Sequence, residues 1–148
     1  MIQRPSGHDV GMGFGKDNGG AIPPNLLQIP NSESNGAYLR GCKAVGTMGH
    51  PARFPAKFPE FFIRMLTDPS DLVVAILGGS NTTGYVAEVE GRRWLTFEAN
   101  LEYVAASAFR FLPSDASEQQ LKEVYERIIA GRTVDLSSVR PAQTVMFG

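Results

Sequence analysis

The sequence predicts an α/β fold built on part of a parallel β-sheet, and three observations lead to that prediction. Residues 72–77 form a continuous apolar run followed by two glycines, a profile typical of a parallel strand buried on both faces. A helical pattern over residues 81–90 then precedes a second strand-like run, residues 93–98. Another helical pattern follows at residues 101–111. This β-α-β-α order corresponds to half of a nucleotide-binding sheet.

Length and composition limit the class of protein. With 148 residues, of which 43 % are hydrophobic, we expect one compact domain. The amino terminus lacks the apolar core of a signal peptide, and no stretch approaches the roughly 20 apolar residues that cross a bilayer. We therefore expect a cytoplasmic protein without a membrane partner. The single cysteine, Cys42, excludes an internal disulfide and, with only two histidines, predicts no metal site.

The net charge of -1 gives no electrostatic footprint of a strong general nucleic-acid binder. Residues 1–66 nevertheless carry seven cations against four anions. That excess fits a surface that faces phosphate and a solvated surface equally well.

The elements before the first strand are of two kinds. Residues 1–45 are rich in Gly, Asn, Ser and Pro, which predicts loops with short strands. Because so long a stretch without helices is unusual in a compact domain, we expect this segment to lack its packing partner. A short amphipathic helix is predicted from Pro59, which suits a first helical turn, with Glu60 beside it at the positive end of the dipole. Asp68 and Pro69 end this helix.

The carboxyl-terminal segment predicts one more helix. Ser117 and Gln120 have the spacing of a capping box, and Gly131 suits the position after the helix end. The tail, residues 133–148, is weakly apolar and is compatible with an edge strand or with a surface that packs on a partner. The chain accordingly divides into residues 1–45, 46–112 and 113–148, within one domain.

The turn between the two predicted strands carries the candidate chemistry. Gly78 and Gly79 allow the backbone to turn sharply and approach a ligand, while Ser80 helps to satisfy the free N–H groups of the following helix. Glu98 lies at the end of the next strand, where a carboxylate accepts hydrogen bonds from ribose hydroxyls. These features favour an adenosine-containing cofactor. An ordinary strand-to-helix turn with Glu98 as a surface charge remains the alternative.

Two nucleotide-binding classes fit less well. A phosphate-binding loop requires lysine after Gly84, where this sequence has Tyr85. A dinucleotide-binding turn requires three glycines in a different order.

Several segments together resemble the permuted, beta-class bacterial DNA amino-methyltransferases, which modify N4 of cytosine or N6 of adenine. The segments are residues 17–27, 38–43, 50–55 (HPARFP), 59–63 (PEFFI), 79–84 (GSNTTG), 92–94 (RRW) and 97–98 (FE). The resemblance implies a Rossmann-like S-adenosylmethionine-dependent methyltransferase fold, of which this chain would be the carboxyl-terminal part, a half-sheet incomplete relative to the family.

The resemblance also implies a set of cofactor-binding residues. One segment borders the methionine end of S-adenosylmethionine, the glycine turn holds its middle, and Glu98 binds its ribose. The implied residues are His50, Pro51, Ala52, Arg53, Phe54, Gly78, Gly79, Ser80, Asn81, Thr82, Thr83 and Glu98.

The sequence departs from the family pattern at two places. The family carries an acid that attracts the cofactor ammonium group where this chain has Ala75. One lost charge-assisted hydrogen bond costs roughly 1.5–3 kcal/mol, so we expect weakened binding. The family also polarises the target amino group with an Asp/Asn/Ser-Pro-Pro-aromatic motif, whereas Pro23 and Pro24 here are flanked by Ile22 and Asn25. No catalytic residue is therefore assigned on this chain.

These observations lead to three functional hypotheses. The first is the cofactor-binding portion of a restriction-modification DNA methyltransferase, inactive alone, that reaches DNA through a complementary chain bearing the catalytic motif. The second is a non-catalytic relic or a binding and oligomerisation module that reuses the fold. The third is a small-molecule methyltransferase. Because an incomplete sheet exposes a strand edge and apolar surface, we also expect homo-oligomers.

Other polar and aromatic residues have simpler interpretations. His50, ahead of a proline, suits a turn or helix entry better than a general base. The spacing of Trp94 and of the phenylalanines at positions 58, 61 and 62 favours core packing over base stacking. Arg92 and Arg93 suit a solvated strand entry better than phosphate contacts.

Overall fold

A computed structural model describes residues 26–30 and 36–137 of the chain. Its elements are, in chain order, α1 Gly36–Val45, α2 Lys57–Leu66, β1 Leu72–Ala75, α3 Thr82–Val89, β2 Arg93–Thr96, α4 Leu101–Ser107, a 3₁₀ helix Ala108–Phe111 and α5 Glu118–Ile129.

The sheet consists of β1 and β2, which pair in parallel, and this confirms the predicted α/β half-sheet. The register places Leu72 opposite Arg93 and Ala75 opposite Thr96. The connecting helix α3 packs on both strands. Hydrogen bonding continues beyond the strand ends, because Phe97 N donates to Ala75 O at 2.9 Å and Gly78 N donates to Phe97 O at 2.8 Å. The sheet therefore carries the chain directly into the glycine turn.

Only one face of this sheet is covered in the described residues, and the prediction of a strand buried on both faces was wrong. Successive residues of β1 and of β2 alternate between exposed and half-buried. Val73 and Trp94 face the helices, where they pack on Ile63 of α2 and Val86 of α3. The opposite face is as apolar as a buried strand requires, but the part of the chain that the structure describes places nothing on it. The apolar run in the sequence shows which side chains form that face, but it does not show whether another element covers them.

The larger core lies among α1, α4, the 3₁₀ helix, α5 and the segment that leads into α5. Its buried members are Tyr38, Cys42, Ala106, Ala108, Phe109, Leu112, Ala116, Leu121 and Val124. Cys42 is a free, buried thiol, and burial raises its pKa. The elements from both ends of the described chain thus share one core.

Helix α1 is the main correction to the sequence prediction, which assigned residues 1–45 to loops and short strands. Gly36 and Gly41 lower the helical propensity of this segment. Gly41 is nevertheless required, because a Cβ there would lie 2.4 Å from the ring of Phe109. The periodic signal was present, since Tyr38 and Cys42 are four residues apart and both face the core. Residues 1–25 and 31–35 lie outside the described residues.

The remaining helices begin and end close to the predicted positions. Helix α2 begins two residues before Pro59, which lies in its first turn. The predicted helix 101–111 is α4 continued by the 3₁₀ helix. In α5 the capping box forms in both directions between Ser117 and Gln120, which confirms the prediction. Residues 133–137 form no strand, and the rest of the predicted tail lies outside the described residues.

None of the helices in the described residues is long and apolar enough to span a bilayer.

The division of the chain at residues 45 and 112 stays a prediction.

Candidate functional site

Two glycines shape the turn that follows β1, each for its own reason. Gly79 has a φ of +53°, in the left-handed region that favours glycine. At Gly78 the restriction is steric, because a Cβ would lie 2.3 Å from Cγ2 of Thr96 on the neighbouring strand. Larger residues at either position would push the turn away from the end of the sheet. Gly79 is buried and Gly78 is half-buried, so the turn packs closely against the end of the sheet.

The next three residues are buried and hold the turn together. Asn81, also with positive φ, caps α3: its Oδ1 accepts from Gly84 N at 3.1 Å and from Thr96 Oγ1 at 2.8 Å. Ser80 Oγ lies 3.2 Å from Thr82 Oγ1. These side chains are hydrogen-bonded within the protein, so they fix the shape of the turn. Of the predicted cofactor residues in this stretch, Thr83 is half-buried in the first turn of α3.

Glu98 reaches back to the turn from the end of β2. Its Oε2 accepts from Gly79 N at 2.8 Å, and its Oε1 accepts from Asn100 N at 2.9 Å. The N–H groups of Asn100 and Gly79 lower the pKa of this carboxyl, so Glu98 is ionised at neutral pH. Each carboxylate oxygen keeps a lone-pair direction beyond the one used here. The carboxylate is thus oriented and still able to accept hydrogen bonds.

His50 enters the same place from the loop before α2. The His50 ring lies against the turn, and a Cβ placed on Gly79 would be 3.2 Å from its nearest ring atoms. The same ring packs edge-to-face against Tyr103, with 4.6 Å between the ring centroids. The backbone N–H of His50 donates to Tyr38 Oη at 2.9 Å, and Arg53 Nη1 donates to the His50 carbonyl. The structure therefore brings His50, Gly79 and Glu98 together, residues that are far apart in the chain.

The other residues of the 50–54 segment take different positions. Pro51 and Ala52 are exposed, and Phe54 packs edge-on against Phe58 at 5.6 Å, away from the contacts of His50. Ala75 lies at the carboxyl end of β1, half-buried opposite Thr96. A groove of about 550 Å³ between residues 27–29 and α2 includes none of the predicted cofactor residues.

Sequence reasoning missed Arg110, which supports the turn from the 3₁₀ helix. Its Nε donates to Ser80 O at 2.6 Å and its Nη2 donates to Ser80 Oγ at 3.1 Å. The guanidinium carbon lies 4.8 Å from the centroid of the Tyr38 ring, and burial lowers the pKa of Arg110. An arginine flanked by Phe109 and Phe111 in an apolar run was the signal available in the sequence. Because Tyr38 also holds His50, one buried network supports both sides of the site.

Residues weighed for nucleic-acid contacts are engaged in the fold. Arg92 donates to the carbonyls of Thr67 and Glu90 at 2.7 and 2.6 Å, which ties α2 to the end of α3 and is not a solvated strand entry. Trp94 stacks on Phe111 at 4.8 Å, which confirms core packing. The rings at positions 58 and 62 form an edge-to-face row that is partly exposed, which differs from the predicted core packing.

Comparison with known proteins gives concordant matches. The DNA methylase family model matches residues 16–109. The chain is 66 % identical over 136 residues to the Type II methyltransferase M.PvuII of Proteus hauseri, a match covering 92 % of this chain and 40 % of that protein. It is 33 % identical over 79 residues to the DNA adenine methyltransferase YhdJ of Escherichia coli (strain K12). That match covers 53 % of this chain and 27 % of YhdJ.

The fold matches as well. The solved structure of PvuII DNA methyltransferase (cytosine-N4-specific) superposes with a TM-score of 0.77 at 65 % identity, covering 80 % of this chain and 42 % of that one. The chain spans about two fifths of the length of M.PvuII and of the solved PvuII methyltransferase, and about a quarter of that of YhdJ. It corresponds to the carboxyl-terminal part of M.PvuII. On its sequence and its fold, the chain belongs to the DNA methylase family.

Proposed function

We propose that this chain is the S-adenosylmethionine-binding portion of a DNA methyltransferase that modifies an exocyclic amino group, with N4 of cytosine as the favoured target. Family membership supports the reaction class. The name of the solved relative, cytosine-N4-specific and 65 % identical, supports the target. The observation that carries the proposal is the meeting of His50, Gly79 and Glu98 at the carboxyl end of β1. Ligands of open α/β sheets bind at this edge of the sheet.

The residues present fit an adenosine cofactor in two respects. Glu98 is ionised and keeps acceptor capacity for both ribose hydroxyls. The glycine turn brings its backbone beside Glu98 at the carboxyl edge of the sheet, while Asn81 and Arg110 hold its shape from the protein side. His50, which lies against Gly79 and whose carbonyl accepts from Arg53, would border the methionine end. When bound, S-adenosylmethionine supplies the methyl group on a sulfonium that needs little help from a base.

Ala75 is where the fit is incomplete. It stands at the carboxyl end of β1, three residues before the turn, and provides no negative charge for the cofactor ammonium group. We infer that the cofactor binds, with reduced affinity. The chain also has no Asp/Asn/Ser-Pro-Pro-aromatic motif, and the Pro23-Pro24 pair lies outside the described residues. We infer that methyl transfer requires a complementary polypeptide that carries this motif and contacts DNA.

Calorimetric titration of the chain with S-adenosylmethionine and S-adenosylhomocysteine tests the proposal. We expect binding with a Kd in the micromolar to submillimolar range, weakened roughly tenfold or more in Glu98→Gln, where a charge-assisted acceptor is lost. The matched control is Glu102→Gln, an exposed residue on α4. Circular dichroism should show that both variants remain folded.

Absence of binding at millimolar ligand, in a folded chain, would contradict the proposal. That outcome would favour the second candidate, a non-catalytic relic or oligomerisation module. The observation behind this candidate is the uncharged Ala75. Equal weakening in Glu98→Gln and Glu102→Gln would place the ligand elsewhere on the surface.

A further inference from the structure

His50 is held by the fold at its backbone and at its ring. Its backbone N–H donates to Tyr38 Oη at 2.9 Å, and its carbonyl accepts from Arg53 Nη1. Its ring packs edge-to-face against Tyr103, and its Nδ1 lies 3.1 Å from the carbonyl oxygen of Ala52. These contacts leave the imidazole little freedom to turn, although the residue lies in the loop between α1 and α2.

The contact with Ala52 determines which ring nitrogen of His50 carries the proton. A carbonyl oxygen only accepts hydrogen bonds, so Nδ1 must be the N–H donor. In the neutral ring Nε2 is then an acceptor with a free lone pair. The end of the ring that carries Nε2 lies against the glycine turn, since a Cβ placed on Gly79 would be 3.2 Å from this atom. Within the described part of the chain, the contact with Ala52 is the only hydrogen bond of the ring.

Under the proposed function, the methionine end of S-adenosylmethionine brings an ammonium group and a carboxylate to this place. An ammonium group has three N–H donors and requires acceptors. Ala75, at the carboxyl end of β1, has no side-chain acceptor. Glu98 is oriented by the N–H groups of Gly79 and Asn100, and its remaining lone pairs would bind the ribose. Of the side chains that meet at the turn, His50 therefore holds the free acceptor.

We propose that Nε2 of His50 accepts a hydrogen bond from the ammonium group of the bound cofactor and so replaces, in part, the carboxylate that position 75 lacks. This inference rests on the proposed function. A neutral imidazole binds an ammonium group less strongly than a carboxylate does, which agrees with the reduced affinity inferred above. The competing assignment, a bond from Nε2 to the carboxylate of the cofactor, requires a proton on Nε2.

Calorimetric titration of His50 variants with a series of ligands tests this role. His50→Asn keeps an amide N–H donor near the position of Nδ1, where it can still bond to Ala52, but it has no atom at the position of Nε2. We expect its affinity for S-adenosylhomocysteine to fall about tenfold or more, as for the loss of a hydrogen bond to a charged group. Its affinity for the analogue of S-adenosylhomocysteine that lacks the amino group should be unchanged. His50→Gln, whose side-chain oxygen reaches the position of Nε2, should recover part of the loss.

A second measurement examines the ring without any cofactor. Nitrogen NMR of the isotope-labelled, unliganded chain distinguishes protonated from unprotonated ring nitrogens. The variant His8→Asn removes the signals of the other histidine and leaves those of His50. We expect the proton on Nδ1 and a free lone pair on Nε2 at mildly alkaline pH. The opposite tautomer would overturn the proposal, whether or not the cofactor binds.

The other outcomes of the titrations decide against Nε2 as the ammonium acceptor. Equal weakening of both ligands in His50→Asn would make His50 a structural support of the turn. If His50→Asn weakens the analogue without the amino group and spares the analogue without the carboxylate, Nε2 binds the carboxylate. Unchanged affinity for S-adenosylhomocysteine in this variant overturns the inference alone. Absence of binding to the unaltered chain overturns the proposed function, and the inference with it.

Discussion

Arg110 and Ser80 are joined by two hydrogen bonds across 30 positions of sequence, one to the carbonyl of Ser80 and one to its hydroxyl. The guanidinium that makes them rests on the ring of Tyr38, whose hydroxyl accepts the backbone N–H of His50. The glycine turn and the His50 loop are thus supported by the same two side chains, the buried Tyr38 and the half-buried Arg110. The geometry of the candidate site depends on residues that lie behind it.

Replacing Arg110 should therefore loosen the turn. We expect Arg110→Met to lower the free energy of unfolding by about 1–3 kcal/mol, because two acceptors on Ser80 lose their partner in a largely buried place. Arg110→Lys should recover only part of this loss, since an ammonium lacks the planar fork. Chemical denaturation measures both. The control Arg127→Lys, on the exposed side of α5, should change stability by less than about 0.5 kcal/mol.

If Arg110 also positions the site, Arg110→Lys should weaken S-adenosylhomocysteine binding at a temperature where the variant is fully folded. Unchanged affinity in that variant would limit Arg110 to a role in stability.

A suppressor pair tests the steric account of Gly78. Gly78→Ala should destabilise the protein by about 1–3 kcal/mol, because its new methyl group would overlap Cγ2 of Thr96. Thr96→Ser removes that methyl group and keeps the hydroxyl that donates to Asn81. In a double-mutant cycle we expect the Gly78→Ala cost to shrink in the Thr96→Ser background. Additive effects would show that the restriction at Gly78 has another origin.

Ala75→Asp offers a gain of function. Under the proposed function, a carboxylate at the carboxyl end of β1 would supply a negative charge for the cofactor ammonium group. We expect affinity for S-adenosylmethionine to rise on the order of tenfold to a hundredfold, the converse of losing one charge-assisted hydrogen bond. Ala75→Asn, of similar size but uncharged, is the control for calorimetry. Equal affinity of the Asp and Asn variants would refute this role for position 75.

The buried hydroxyl of Tyr38 predicts alkaline instability. Burial raises the pKa of Tyr38 to about 12, above its usual 10. The unfolded chain therefore releases this proton first, and stability present below pH 10 is lost as pH rises towards 12. The loss should amount to roughly 2–3 kcal/mol.

Denaturant titrations across that pH range, on the chain and on Tyr38→Phe, measure this effect. The variant should lose the dependence attributable to Tyr38, although it should be less stable at neutral pH because the His50 N–H loses its acceptor. Burial raises the pKa of Cys42 as well, so the Cys42 thiol also lowers stability as the pH rises. The variant Cys42→Ala therefore separates the contribution of the thiol from that of the Tyr38 phenol. An identical alkaline profile in the chain and in Tyr38→Phe would contradict the assignment.

The sequence predicted the elements whose signals are local. The capping box of α5, between residues three positions apart, is present as predicted. The cap at the start of α3 was assigned to Ser80, whereas the structure has Asn81 as the cap, with its Oδ1 accepting from Gly84 N. Helix α1 was missed because Gly41 lowers the local helix propensity. Glycine is needed there because the Phe109 ring packs against it, and local propensity contains no information on that tertiary contact. Within the candidate site, the two glycines of the turn and Glu98 could be predicted from their spacing in the sequence. The contact of Arg110 with Ser80 was not, because it depends on how distant elements pack.

The close contact of Gly41 with Phe109 bears on the order in which the chain folds. With two glycines among ten residues, α1 is too short and too weak in propensity to persist before its partner surface exists. Helix α1 should therefore become stable only after the 3₁₀ helix has formed and positioned Phe109. The hydrogen bond from the His50 N–H to the Tyr38 hydroxyl can form only then. The carboxyl end of the sheet would be the last region to become rigid. Slow refolding monitored at Tyr38 and at α5 separately would show whether nucleation begins at the carboxyl-terminal helix.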